Sequence, residues 1–98
     1  MESIWKVVAE ILVEPGDLPS GSTKAFANIV TWADSASIAK EKIAGYLGSY
    51  KWQLLSAEDA QVVDEGHDYG DDINQMIEKA QGNPQAIILG RFLSYKEN

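Results

Sequence analysis

Two internal stretches of helical spacing set between stretches of strict alternation predict an α+β fold. The expected form is a two-layer sandwich: a four-stranded, mostly antiparallel sheet with two helices on one face, in the order ββαβαβ. Apolar residues recur every second position near both ends of the chain, which is strand spacing, and every third or fourth position in the two internal stretches. The chain has 98 residues, close to the modal size of one domain, and its 45% apolar content suffices for one core.

The first strand runs from Ile4 to Glu14, with Trp5, Val7, Ala9, Ile11 and Val13 on one side and Lys6, Glu10 and Glu14 on the other. PGDLPSGS, residues 15–22, is turn chemistry, because proline fixes φ and glycine reaches conformations closed to other residues. It leads to a second strand, AFANIVTW at residues 25–32, and so to a hairpin with a long connection. From Ala33 the period becomes helical. Asp34 or Ser35 caps the start, and Ala36, Ala39, Ile43, Leu47 and Tyr50 form the buried stripe. WQLLSAEDAQVVD, residues 52–64, is one long bent strand or, if Ser56 to Asp59 turns, a strand pair that makes the sheet five-stranded.

The second helix is expected to start at Asp71 or Asp72, with capping-box spacing from Asp72 to Gln75, and to bury Ile73, Met76, Ile77 and Ala80. Gly82, Asn83 and Pro84 end it, the glycine by turning left-handed. AIILGRFLSY, residues 86–95, closes the sheet. Strict alternation places Ile88 and Phe92 on one face and Ile87, Leu89, Arg91, Leu93 and Tyr95 on the other. A strand apolar on both sides is central or covered.

This order lies near the ferredoxin-like plaits and is a variant of them, since no helix separates the first two strands. IVTWADSASIAKEKIAGYLGSYKWQLLSAEDA resembles the strand, Trp-Ala-Asp-Ser, helix, Trp-x-Leu-Leu pattern of small uncharacterised bacterial α+β proteins with a plait-like fold, and AIILGRFLSY extends it weakly. The resemblance implies packing roles for Trp32 and Trp52 and helix-starting roles for Asp34 and Ser35. It implies no activity.

A formal charge of −7 repels phosphate backbones and anionic lipid, so neither nucleic acid nor membrane is an expected partner. Cysteine is absent, which removes thiolate nucleophiles, thiolate metal sites and disulfides, and no apolar run has transmembrane length. The N-terminus MESIWKVVAE lacks the form of a signal peptide, so the cytoplasm is the expected compartment.

The acidity is concentrated. DEGHDYGDD, residues 64–72, contributes five acids around the only histidine, and the rest of the chain carries −2. The spacing is not that of a calcium loop, and one histidine without cysteine gives at most a carboxylate-dominated metal site on His67 and Asp68. Asp64, Glu65, Asp68, Asp71 and Asp72 otherwise present charge to a basic partner, in the manner of the immunity proteins of toxin systems, or complement the helix N-terminus. GDLPSGSTK, residues 16–24, is no phosphate loop, because its Lys24 opens a strand. Serines sit in turns and caps without a nucleophile elbow, so no catalytic residue is assigned.

If both helices cover one face, the other keeps surplus apolar residues. Trp5, Phe26, Trp32, Phe92 and Tyr95, with the lone Arg91, are then candidates for a homodimer interface or a ligand surface. The leading expectation is a noncatalytic interaction module without a cofactor, meeting a protein partner or a second copy. The alternative is a small enzyme or metal-assisted site using His67, the neighbouring aspartates and Arg91, which requires those groups to share one pocket.

Overall fold

The two alternating stretches near the N-terminus form a long antiparallel hairpin. β1 (Ser3–Leu12) pairs with β2 (Lys24–Ala33) over its whole length, from Ser3 against Ala33 to Leu12 against Lys24. The computed structural model describes residues 2–18, 21, 23–64 and 66–94. The other elements are α1 (Ala36–Gly48), β3 (Gln53–Val62), α2 (Asp71–Gln81), β4 (Ile87–Leu89) and β5 (Leu93–Ser94), which make the chain α+β. The antiparallel sheet runs β3-β1-β2-β4, and the two-residue β5 pairs with β2 beyond β4. The hairpin is thus central.

The helices lie on opposite faces of this sheet, which corrects the expectation of a two-layer sandwich with both on one face. Register pairs Val7 with Ile29, Ala9 with Ala27 and Ile11 with Ala25, and these residues form one buried cluster with Ala39, Ile43 and Leu47 of α1. The alternate positions include Ile4 opposite Trp32 and Lys6 opposite Val30. Ile4 and Val30 form a second cluster with Met76, Ile77 and Ala80 of α2, and Trp32 packs against it. Two helices on two faces account for strands that are apolar on both sides. They also end the comparison with a ferredoxin-like plait at the level of α+β.

Cap chemistry begins α1 as its sequence indicates: Ser35 is the N-cap and its Oγ accepts from the amide of Ile38 at 3.2 Å. Trp5 donates from Nε1 to the Ala33 carbonyl at 2.9 Å. Thr31, fully buried, donates from Oγ1 to the Ala86 carbonyl at 3.1 Å, so the one buried polar side chain among the described residues is satisfied. At the far end of α1, Tyr50 stacks on Trp52 at 5.0 Å, and Trp52 donates from Nε1 to Asp17 Oδ2 at 2.7 Å, which ties the hairpin connection to the body.

β3 is one strand and does not turn at Ser56 to Asp59. Its polar middle is accommodated by register shifts against β1, with Asp59 at φ 51°. The extra strand arises instead from the C-terminal run. Leu89 pairs with Ile29 and Leu93 with Phe26, so three residues, Gly90, Arg91 and Phe92, oppose two, Ala27 and Asn28. This bulge breaks the alternation. Phe92 packs with the α1-side cluster and meets the Trp52 ring edge-on at 5.4 Å, while Leu93 joins Phe26 on the face of Ile88.

Candidate functional site

α2 covers only one end of its sheet face. Beneath it lie Ile4, Val30, Trp32 and Ile88, whereas Val8, Leu12, Phe26 and Leu93 occupy the same face beyond its reach. Leu93 is 57% exposed. Of the six aromatic and cationic candidates, then, Trp5 and Phe92 face α1, and Trp32 lies under α2 with Nε1 donating to the Ala80 carbonyl at 2.7 Å. Phe26, half-buried, and Arg91 lie at the end that α2 does not reach, and Tyr95 lies outside the described residues.

The acidic segment is organised by its own side chains. Asp64 Oδ1 accepts from the Gly66 amide at 3.0 Å, and the Tyr69 hydroxyl accepts from the Asp64 amide at 3.0 Å. The His67 ring stands edge-on to Tyr69 at 4.5 Å. Asp68 Oδ1 accepts from the Gly70 amide and from Asn74 Nδ2, both at 2.9 Å, while Asn74 Oδ1 accepts from the Tyr69 amide at 3.2 Å. These bonds fix the entry to α2. The N-cap is Gly70, at φ 93°, with no side-chain cap bond, so Asp71 and Asp72 are first-turn acids facing the helix dipole. At the other end, Gly82 is right-handed, φ −83°, and makes no use of its conformational freedom.

The Gly70 amide, the Asn74 amide and the His67 charge hold Asp68 below the usual carboxylate range. A folded pKa lower than the unfolded one makes Asp68 stabilising above its unfolded pKa, and that contribution disappears as pH falls through the folded value. A carboxylate-detected NMR titration is expected to place Asp68 below the usual carboxylate range, and Asn74→Ala to move it upward. An Asp68 titration unaltered by Asn74→Ala would remove the side-chain bond as a cause.

Asp64, Asp68, Asp71 and Asp72 are all exposed; Glu65 lies outside the described residues. Clefts flank α2, and two of them carry the candidate residues. One, of about 300 Å³, is lined by Asp64, His67, Asp68, Asn74, Ile77 and Glu78, among others. The second, of about 480 Å³, opens between the start of α2 and the β4–β5 bulge, with Asp71, Asp72, Ile73, Met76, Arg91 and Leu93 in its wall. Arg91 reaches Asp72 at 3.6 Å, both side chains being 76% exposed. His67 and Arg91 therefore line different clefts and do not converge. Among the described residues no three His, Asp or Glu side chains are placed to hold a metal ion together. No helix there is long and apolar enough to cross a membrane.

The larger cleft joins two surfaces that sequence reading treats separately, the acidic helix entry and the sheet end beyond α2. Ile73, Met76 and Leu93 are its missed apolar residues. Gly90, a glycine inside a strand pattern, is the signal that marks the bulge. Comparison with protein-family models, with curated proteins and with solved structures gives no match.

Proposed function

We propose that the chain is a noncatalytic cytoplasmic interaction module that holds a basic protein where the acidic start of α2 meets the end of the sheet that α2 does not cover. The observation that carries this reading is the larger cleft, whose wall combines Asp71 and Asp72 with exposed Leu93. Apolar area supplies contact and the carboxylates select partner charge. Asp64 and Asp68, exposed on the neighbouring loop, extend the negative field that steers a cation-rich surface in.

Affinity capture from an extract of the producing cells tests it. Wild-type chain is expected to retain a defined basic protein that is released between about 0.05 and 0.3 M salt, as the screening length shrinks below the spacing of surface charges. The triple variant Asp64→Asn, Asp71→Asn, Asp72→Asn is expected to lose it, and Glu41→Gln on the exposed side of α1 to keep it. Retention indifferent to salt and to the triple variant would refute the proposal.

Homodimerisation is the second reading. Beyond α2 the same face sets Lys6 and Glu58 beside Val8 and Leu12, a mixture of both charges suited to a twofold-related copy. Light-scattering mass separates the two: twice the 10.7 kDa chain mass, reduced to one by Val8→Lys, would favour the dimer.

A further inference from the structure

The chain's only arginine closes onto an acid of the larger cleft. A single 3.6 Å contact between two side chains that are each 76% exposed is weakly held, because water and salt screen it. Beneath this pair, Ile73, Met76 and Leu93 offer an apolar wall, and Tyr69 lines the same space. Gly90 contributes backbone alone to the wall, and methionine adapts its shape to what packs against it.

From this arrangement we infer that Arg91 stands in for a partner's cation: in the free chain it occupies Asp72, and a lysine or arginine side chain of a basic protein displaces it. The incoming methylene stem lies along Ile73, Met76 and Leu93, and its charged head meets Asp71 and Asp72. The inference rests on the interaction reading above and names the contact within it. Charge decides the class of ligand. Among the described residues the cleft wall carries two carboxylates against one guanidinium, and it becomes more negative once Arg91 swings away, so an anion drawn to Arg91 meets repulsion from Asp71 and Asp72.

The probes are N-acetyl-lysine methylamide and N-acetyl-arginine methylamide, with the norleucine and glutamate analogues as neutral and anionic controls at matched ionic strength. Methyl NMR follows Ile73, Met76 and Leu93. Saturable shifts at these methyls are expected with the two cationic compounds, weaker ones with norleucine, and none with glutamate. Arg91→Gln is expected to tighten cation binding about two- to fivefold, the range an exposed ion pair is worth, and Asp72→Asn to weaken it by a similar factor. A partner-contact role for Arg91 predicts the opposite, so weaker cation binding in Arg91→Gln, or preferred binding of the glutamate analogue, overturns the inference. So does the absence of saturable shifts in both wild type and Arg91→Gln. A basic protein captured through the triple-variant surface yet indifferent to Asp72→Asn would overturn this contact and leave the interaction module standing.

Discussion

Replacing half-buried Trp32 by alanine is expected to destabilise the protein by about 2–4 kcal/mol, somewhat below the range for truncating a fully buried tryptophan, and to loosen α2 from the sheet. Trp32 sits opposite Ile4 on the α2 face and packs against the cluster of Val30, Met76, Ile77 and Ala80. Its Nε1 also donates to the Ala80 carbonyl in the last turn of α2, an oxygen that the Asn83 amide shares at 3.0 Å. An eleven-residue helix is too short to persist in water without such packing. Trp32→Phe separates the two contributions, since it keeps most of the apolar contact and removes the donor, at an expected cost of about 1 kcal/mol. Urea unfolding gives the totals, and amide exchange in α2 against α1 shows where the loss falls. A Trp32→Ala cost below about 1 kcal/mol, or equal loss of protection in both helices, would show that Trp32 does not anchor α2 specifically.

The elements were legible because their causes are local. Alternation in β1 and β2, the Ser35 cap and the apolar stripe of α2 each follow from residues a few positions apart. The side of the sheet each helix takes is not local, since it depends on which face gains a partner from a distant element. One clue was present: the α2-face positions of β1, Ile4, Lys6, Val8, Glu10 and Leu12, alternate apolar and charged residues, whereas the α1-face positions from Trp5 to Ile11 are apolar throughout, so the two faces differ in how fully they are covered. Strict alternation then misplaced Phe92 and Leu93, because one extra residue reverses every later side chain. The acidic loop was half legible. Asp68 and Gly70 have the spacing of a carboxylate that bonds an amide two residues on, but the Asn74 bridge requires the helix to be in place. The larger cleft exists only once the bulge and the start of α2 meet, so no single segment announces it.

The bulge that builds the cleft tolerates no β-carbon at its first residue. A Cβ at Gly90 would stand 2.9 Å from the Asn28 carbonyl oxygen and 3.0 Å from Met76 Sδ. Met76 can rotate away, but the Asn28 oxygen belongs to the backbone of central β2 and accepts the Gly90 amide at 2.9 Å. Gly90→Ala is therefore expected to cost about 1–3 kcal/mol through forced displacement, and Gly90→Val about 3 kcal/mol or more as branching adds a second clash. Gly45 is the control with the opposite sign. It lies inside α1 with nothing within 4 Å of its would-be Cβ, so Gly45→Ala is expected to stabilise by up to about 1 kcal/mol. Thermal and urea unfolding of the three variants measure the contrast. Equal stability of Gly90→Ala and wild type would mean that the β4–β5 segment does not approach β2 this closely, and the cleft wall would have to be redrawn. The expected loss, with Met76 methyl shifts in Gly90→Ala, would tie the close approach to the same side chain that lines the cleft.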